Sequence, residues 1–258
     1  MGIPNPFIRI RLDSQPRAAR QCSAVTVDSE AVAAAFRRRW GIQPRVVHPG
    51  VDLDAFAPTE PRAAEPLILC PASPDIARKR VEQQADALPA VRAAHPGASV
   101  LALRPESGRR GEELRRAHPG LELFDPVSDA AELARLYAAA WVTALPAWGE
   151  AFGMVLIESL ACGTPVVAAD RDAAPEIVDD PAIGRLFDDD APEALAPALL
   201  EALELGRDDR TAPACRAHAE RFSATRTLGA FEDLYAELLG PTDRDSAGPG
   251  PGLVANQN

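Results

Sequence analysis

WVTALPAWGEAFGMVLIESLACGTPVVAAD, residues 141–170, decides the fold. The apolar run up to Leu145 reads as a buried strand, and Pro146-Ala147-Trp148-Gly149-Glu150 reads as a loop. Helical spacing sets in after Gly153, with Met154, Ile157, Leu160 and Ala161 as an inward stripe. Gly163 stops that helix and 165–169 starts the next apolar strand. Strands that are apolar at nearly every position, separated by a helix, belong to a parallel sheet covered on both faces.

The same alternation extends both ways. Further strands are expected at 24–27, 45–48, 67–71, 99–103, 121–124 and, more weakly, 184–187. Helices are expected at about 30–40, 78–94, 108–117, 129–140, 153–162, 173–179, 191–205, 211–220 and 223–239. Ser29 can cap the helix that follows it, and Gly41 can end it in a left-handed conformation. Residues 55–66, rich in Pro, Ala and charge, read as a linker. The last helix carries Leu228, Phe231, Leu234, Tyr235 and Leu238 at helical spacing. Residues 241–258 read as a disordered tail.

In an open parallel sheet, ligands sit at the carboxyl ends of the strands. A helix N-terminus there offers unpaired N–H groups and partial positive charge to a phosphate. Gly153, without a β-carbon, lets the backbone approach a diphosphate or sugar. Glu150 in the loop and Glu158 inside the helix would lie at different depths along one pocket. Both carboxylates can accept hydrogen bonds from sugar hydroxyls.

Composition narrows the function. The 258-residue chain has a net charge of -11, which argues against a nucleic-acid groove. Hydrophobic residues make up 47% and aromatics only 5%, so the core is expected to be mostly Ala, Leu and Val. The cysteines Cys22, Cys70, Cys162 and Cys215 form no CxxC pair and no metal-ligand spacing. No apolar run reaches the roughly 20 residues of a membrane helix, and no signal peptide is evident, so a cytoplasmic location is expected. A dehydrogenase would need G-x-G-x-x-G, which Gly108-Arg-Arg-Gly111 does not supply. A serine hydrolase would need its nucleophile on a strand–helix turn, whereas Ser159 lies within a helix. His48, His95 and His118 read as structural.

Glu150-Ala151-Phe152-Gly153 through Glu158, then Ala161-Cys162-Gly163-Thr164-Pro165-Val166-Val167, resembles glycosyltransferase family 4. That family often carries E-x-F-G-x-x-x-x-E followed by A-x-G-x-P-V-[VI]. Ala174-Pro175-Glu176-Ile177-Val178 is similar to its G-x-x-E-[IL]-[VI] segment, with Ala173 where Gly is usual. Val46-Val47-His48-Pro49-Gly50-Val51-Asp52 looks like the family's crossover between domains. PASPDIARKR, residues 71–80, falls where the family has a G-R-x-x-x-x-K-G-like loop. The resemblance covers about 24–239.

It implies a GT-B fold: a Rossmann-like α/β domain at 53–240 binding the donor, with 1–52 as a remnant of the acceptor-side domain plus crossover. It implies a retaining glycosyltransferase that moves a sugar from a nucleoside diphosphate sugar to a hydroxyl, without metal or other cofactor. Glu158 would take the ribose hydroxyls and Glu150 the donor sugar. Backbone N–H groups near Phe152, Gly153 and Met154 would meet the sugar or diphosphate. Lys79 would sit on the diphosphate, where a cation stabilises the leaving group's charge. Ser73 stands where the family has a phosphate-binding Arg, so Arg78 or Arg80 would have to substitute. The Asp-x-Asp strings at Asp52, Asp170 and Asp243 are assigned no metal. Since 1–23 is too short and polar to complete an acceptor domain, a separate protein partner is expected to supply it. The alternative is a truncated, inactive nucleotide-sugar-binding relic acting as an interaction protein.

Overall fold

The computed structural model describes residues 16–59, 61–188 and 192–240; the expected tail at 241–258 and Asp243 lie outside them. After a helical turn at 16–19, strands β1 (Thr26–Val27) and β2 (Arg45–Val46) pair in parallel around helix α1 (Glu30–Trp40). Ser29 caps α1 by accepting from the Val32 N–H, and Gly41 ends it at φ 63°, as its sequence requires.

The remaining chain alternates strand and helix. β3 (Leu67–Cys70) leads through a 3-10 turn (Ala77–Lys79) to α2 (Val81–Ala94) and β4 (Ser99–Leu103). α3 (Gly108–Ala117), β5 (Leu121–Phe124), α4 (Ala130–Ala139) and β6 (Val142–Leu145) follow. Then come α5 (Met154–Ala161), β7 (Val166–Ala169), the short α6 (Ala174–Ile177) and β8 (Gly184–Phe187). The chain closes with α7 (Leu195–Arg207), α8 (Thr211–Ala219) and α9 (Ala224–Leu239). The helix expected at 78–94 is thus two elements, because Arg80 adopts φ 51° and breaks the spiral. The helix expected at 191–205 runs instead from 195 to 207, after a 3-10 turn at Pro192–Ala194.

The main sheet has six parallel strands in the order β5-β4-β3-β6-β7-β8. Every residue of β6 and β7 is buried, so the apolar runs of 142–145 and 166–169 are central strands. Side chains alternate between the two faces. Ile68, Cys70, Val142, Ala144, Val167 and Ala169 pack under α2, α3 and α7. Leu69, Leu145, Val166 and Ala168 pack under α4, α5 and α8. On that second face Ser159 of α5 donates to Thr143 Oγ1 of β6 at 2.8 Å. Ser159 is therefore a buried structural hydroxyl.

The segment at 55–66 is tied down by arginines. Arg62 donates to the carbonyls of Ala140 (2.6 Å) and Gly163 (2.9 Å). Arg216 donates to Leu53 O (2.6 Å), Ala161 O (2.9 Å) and Phe56 O. Five helix-end or loop carbonyls are in this way satisfied by charge-assisted donors. The last helix returns to the crossover: Val51 N–H donates to Phe222 O (2.8 Å) and Ala224 N–H to Val51 O (2.9 Å). Its apolar residues do not pack as one face. Leu234 is buried, whereas Leu228 is 64% and Tyr235 59% exposed. Among the described residues no helix is long and apolar enough to cross a membrane.

Gly184 sits where β8 lies close against β7: a β-carbon there would lie 2.4 Å from Val166 O. Gly184→Ala is expected to cost roughly 1–3 kcal/mol by overpacking and to lower the thermal midpoint in a circular-dichroism melt. Gly229→Ala, whose β-carbon meets nothing within 4 Å inside α9, should hold or raise it. Equal midpoints for the two variants would contradict the close β7–β8 contact.

Candidate functional site

The strand order reverses between β3 and β6: the chain steps outward to β4 and β5 on one side, and to β7 and β8 on the other. Loops leaving the carboxyl ends of β3, β6 and β7 converge over that crevice, the expected place for a ligand. Gly153 N-caps α5 there at φ 110°, a conformation open to glycine and strained for other residues. The first turn of α5 therefore presents its N–H groups at the switch point.

Lys79 and Glu150 meet across 71 residues of chain, Nζ to Oε2 at 2.5 Å. Their side chains are only 16% and 19% exposed. A pair this shielded fixes geometry more than it adds stability, since desolvation offsets the Coulomb gain. Arg78 lies 3.5 Å from the same carboxylate oxygen, and its guanidinium also reaches the carbonyls of Trp148 and Gly149 at 3.4 Å. Arg80 lies over the Trp148 ring, 5.1 Å from its centroid. Ser73 does not join them: its hydroxyl accepts from the Asp75 N–H at 3.2 Å and closes a local turn.

Glu158 stands in a different setting. Its carboxylate accepts a 2.7 Å hydrogen bond from the hydroxyl of Tyr137 on α4. Burial pushes the Glu158 carboxyl above its ordinary range, and the Tyr137 donor offsets part of that rise. Burial and the neighbouring carboxylate push the Tyr137 phenol well up, so it stays a donor. Burial likewise raises the thiols of Cys70, Cys162 and Cys215 to about 12, which makes them inert core residues.

The two carboxylates line different recesses. Glu150 lines a cleft of about 510 Å³ under α1, with Gly149, Ala151 and Asp172. Glu158 closes a slot of about 160 Å³ walled by Leu103, Phe124, Val127, Leu133 and Val155. The turn of α5 after Gly153 rotates Glu158 toward α4, while the loop carries Glu150 back to the 3-10 turn. Phe152 is buried, stacked on His48 with ring centroids 5.4 Å apart, so its side chain is part of the core. Met154 is half-buried against the core at the first turn of α5.

Sequence reasoning missed Tyr137 and the partners of Asp172 and Glu176. Tyr137 had a signal: a tyrosine on an apolar helical face, one turn from Leu133, must find a partner for its hydroxyl. Asp172 accepts from the Gly149 N–H at 2.7 Å. Glu176 accepts from the first two N–H groups of α1, Glu30 at 2.9 Å and Ala31 at 2.8 Å. Neither partnership has a short-range signature. His95 and His118 end α2 and α3 as expected. Asp52 turns its carboxylate back onto the N–H groups of Asp54 and Ala55.

Comparison with known proteins matches residues 65–205 to the family described as Glycosyl transferases group 1. A D-inositol 3-phosphate glycosyltransferase of Saccharomonospora viridis is 31% identical over 259 residues, covering 91% of this chain and 60% of that protein. Its Mycobacterium bovis counterpart is 35% identical over 216 residues, covering 76% and 44%. The chain thus spans about half the length of these relatives. Among solved structures, sucrose-phosphate synthase from Thermosynechococcus elongatus superposes with a TM-score of 0.78 at 26% identity, covering 90% of this chain and 62% of that one. Anabaena HepE, solved with UDP-glucose, shares the fold at a TM-score of 0.74 and 21% identity, covering 91% and 70%.

The raised Glu158 carboxyl has a consequence for stability. Below the ordinary value of 4.5 it is neutral in folded and unfolded chains alike. Above that value the unfolded chain ionises first, so stability is lost as pH rises through the raised folded value. Glu158→Gln removes this loss. Its thermal midpoint should match wild type near pH 4 and exceed it at pH 7–8; a difference independent of pH would contradict the burial of a charge there.

Proposed function

The chain belongs to the group 1 glycosyl transferases, and from that premise we propose that residues 53–240 are the donor-binding domain of a retaining glycosyltransferase. Its six-stranded parallel sheet matches GT-B glycosyltransferase structures. The donor in this reading is a nucleoside diphosphate sugar and the acceptor a hydroxyl.

The observation that carries the reading is a pair of unlike carboxylates beside the strand switch point, Glu150 bound to Lys79 and Glu158 bound to the Tyr137 hydroxyl. The apolar slot suits a flat base, and Glu158 at its end suits the adjacent hydroxyls of a ribose. Tyr137 occupies one carboxylate oxygen and leaves the other to accept. Lys79 and Arg78 answer the diphosphate together with the N–H groups of Phe152, Gly153 and Met154. Glu150, held by Lys79, faces the transferred sugar. The acceptor oxygen bonds to the anomeric carbon as the carbon–oxygen bond to the diphosphate breaks. A diphosphate oxygen takes the acceptor's proton, and Lys79 stabilises the charge that develops on the departing nucleoside diphosphate. No metal enters this scheme. Contacts to the acceptor come in part from outside residues 53–240, across the cleft under α1 or from a protein partner.

Titration calorimetry of the full chain with UDP, GDP and ADP tests the reading. At least one nucleotide should bind equally well with and without EDTA. Glu158→Ala should weaken it roughly ten- to a hundred-fold, the worth of hydrogen bonds to a charged group. Glu150→Ala should weaken the nucleotide sugar more than the bare nucleotide. Absence of heat and of any thermal shift with all three nucleotides at millimolar concentration would overturn it.

A further inference from the structure

The loop that carries Glu150 is held from two sides. Toward β3, the Trp148 N–H donates to Arg78 O at 2.8 Å, and Lys79 pairs with Glu150 itself. Toward β7, the Gly149 N–H donates to Asp172 Oδ2 at 2.7 Å. The Trp148 ring repeats the bridge, with the Arg80 guanidinium 5.1 Å and the Arg171 guanidinium 5.9 Å from its centroid. Glu150 is therefore one residue from a clasp that spans the ends of β3 and β7.

Asp172 is an unusual residue for that clasp. Its φ is 53°, a left-handed conformation that only a few non-glycine residues tolerate, aspartate and asparagine foremost. Such a conformation persists where its surroundings hold it. Here the holder is the Gly149 N–H, whose own residue sits at φ 59°. Gly149, Glu150 and Asp172 line the same cleft.

We propose that Asp172 is a positioning residue for the donor sugar: by accepting from the Gly149 N–H it fixes the loop so that Glu150 stands ready for the sugar before the ligand arrives. Ordering done in advance is not charged against binding. The inference rests on Glu150 being the sugar-facing carboxylate. Since the clasp touches neither Glu158 nor the slot beside it, its effect falls on the sugar and spares the nucleoside.

Substitutions at Asp172 in the full chain separate the hydrogen bond from the backbone conformation. Asp172→Gly frees the left-handed backbone but removes the acceptor; Asp172→Asn keeps an acceptor oxygen and tolerates the conformation. Two readouts apply: amide hydrogen exchange at Gly149, and affinities for UDP and UDP-glucose (or ADP and ADP-glucose, or GDP and GDP-mannose, whichever pair wild type binds). Asp172→Gly should speed Gly149 exchange and weaken the nucleotide sugar roughly three- to ten-fold, the worth of one hydrogen bond. The bare nucleotide should be weakened less than the nucleotide sugar, and Asp172→Asn should stay close to wild type in both readouts. Retained Gly149 protection in Asp172→Gly, lost protection with unmoved sugar affinity, or an equal loss for nucleotide and nucleotide sugar would each overturn the inference. If wild type binds no nucleotide sugar, the donor reading falls and this inference with it. If wild type binds it and Glu150→Ala weakens it while Asp172→Gly does not, the role of Asp172 alone is refuted.

Discussion

Parallel pairing is the constraint from which the site follows. Each parallel connection must cross a face of the sheet, so every loop that leaves a carboxyl end emerges on the same edge. Because the order turns back between β3 and β6, the connections from these neighbours depart in opposite directions and leave a crevice. The 3-10 turn after β3, the Glu150 loop after β6 and the Asp172 turn after β7 all meet above it. Residues 71 positions apart become an ion pair without any local sequence rule that joins them.

Two glutamates eight positions apart on one loop–helix unit meet opposite electrostatic treatment. Glu150 is neutralised by Lys79, with Arg78 nearby, so both charges are kept at the site at modest cost. An arriving diphosphate can share Lys79, and a sugar hydroxyl can use the second oxygen of Glu150. Glu158 has no cation in hydrogen-bond range among its described contacts; a phenol holds it instead. A neutral donor orients the carboxylate without quenching its charge, and burial keeps it eager for further donors. Hydroxyls of a neutral ribose suit that environment better than a second cation would. In the proposed reading, the division of labour between phosphate and nucleoside follows from what each carboxylate lacks.

The sheet was legible because its signals are local. The apolar runs at 142–145 and 166–169 needed burial on both faces, and Ser29 and Gly41 carry their capping chemistry within a single turn. Boundaries slipped where backbone conformation, not side-chain pattern, decided the outcome, as at Arg80. The site was legible in its residues and not in its pairings. Glu150, Glu158 and Lys79 stood out by motif, yet their division between two recesses depends on how far α5 turns after Gly153. Tyr137 belongs to a helix whose apolar face is unremarkable until its hydroxyl is found against Glu158. The stripe on α9 shows the converse: its spacing promises one packed face, but only Leu234 among the leucines there is buried.

The segment from Asp172 to Glu176 ties the cleft beside Glu150 to α1. A carboxylate at a helix N-terminus satisfies N–H groups that the helix cannot and meets its partial positive charge. Glu176 does this for α1 from 145 residues away, while His48 Nε2 lies 3.4 Å from the same carboxylate. His48 in turn stacks on Phe152, the residue before Gly153. Four residues earlier, Asp172 holds the Glu150 loop. One short stretch after β7 therefore sets both the wall of the cleft, through α1, and its floor, through Gly149. The contacts that place α1 and those that place the Glu150 loop thus come from one five-residue segment.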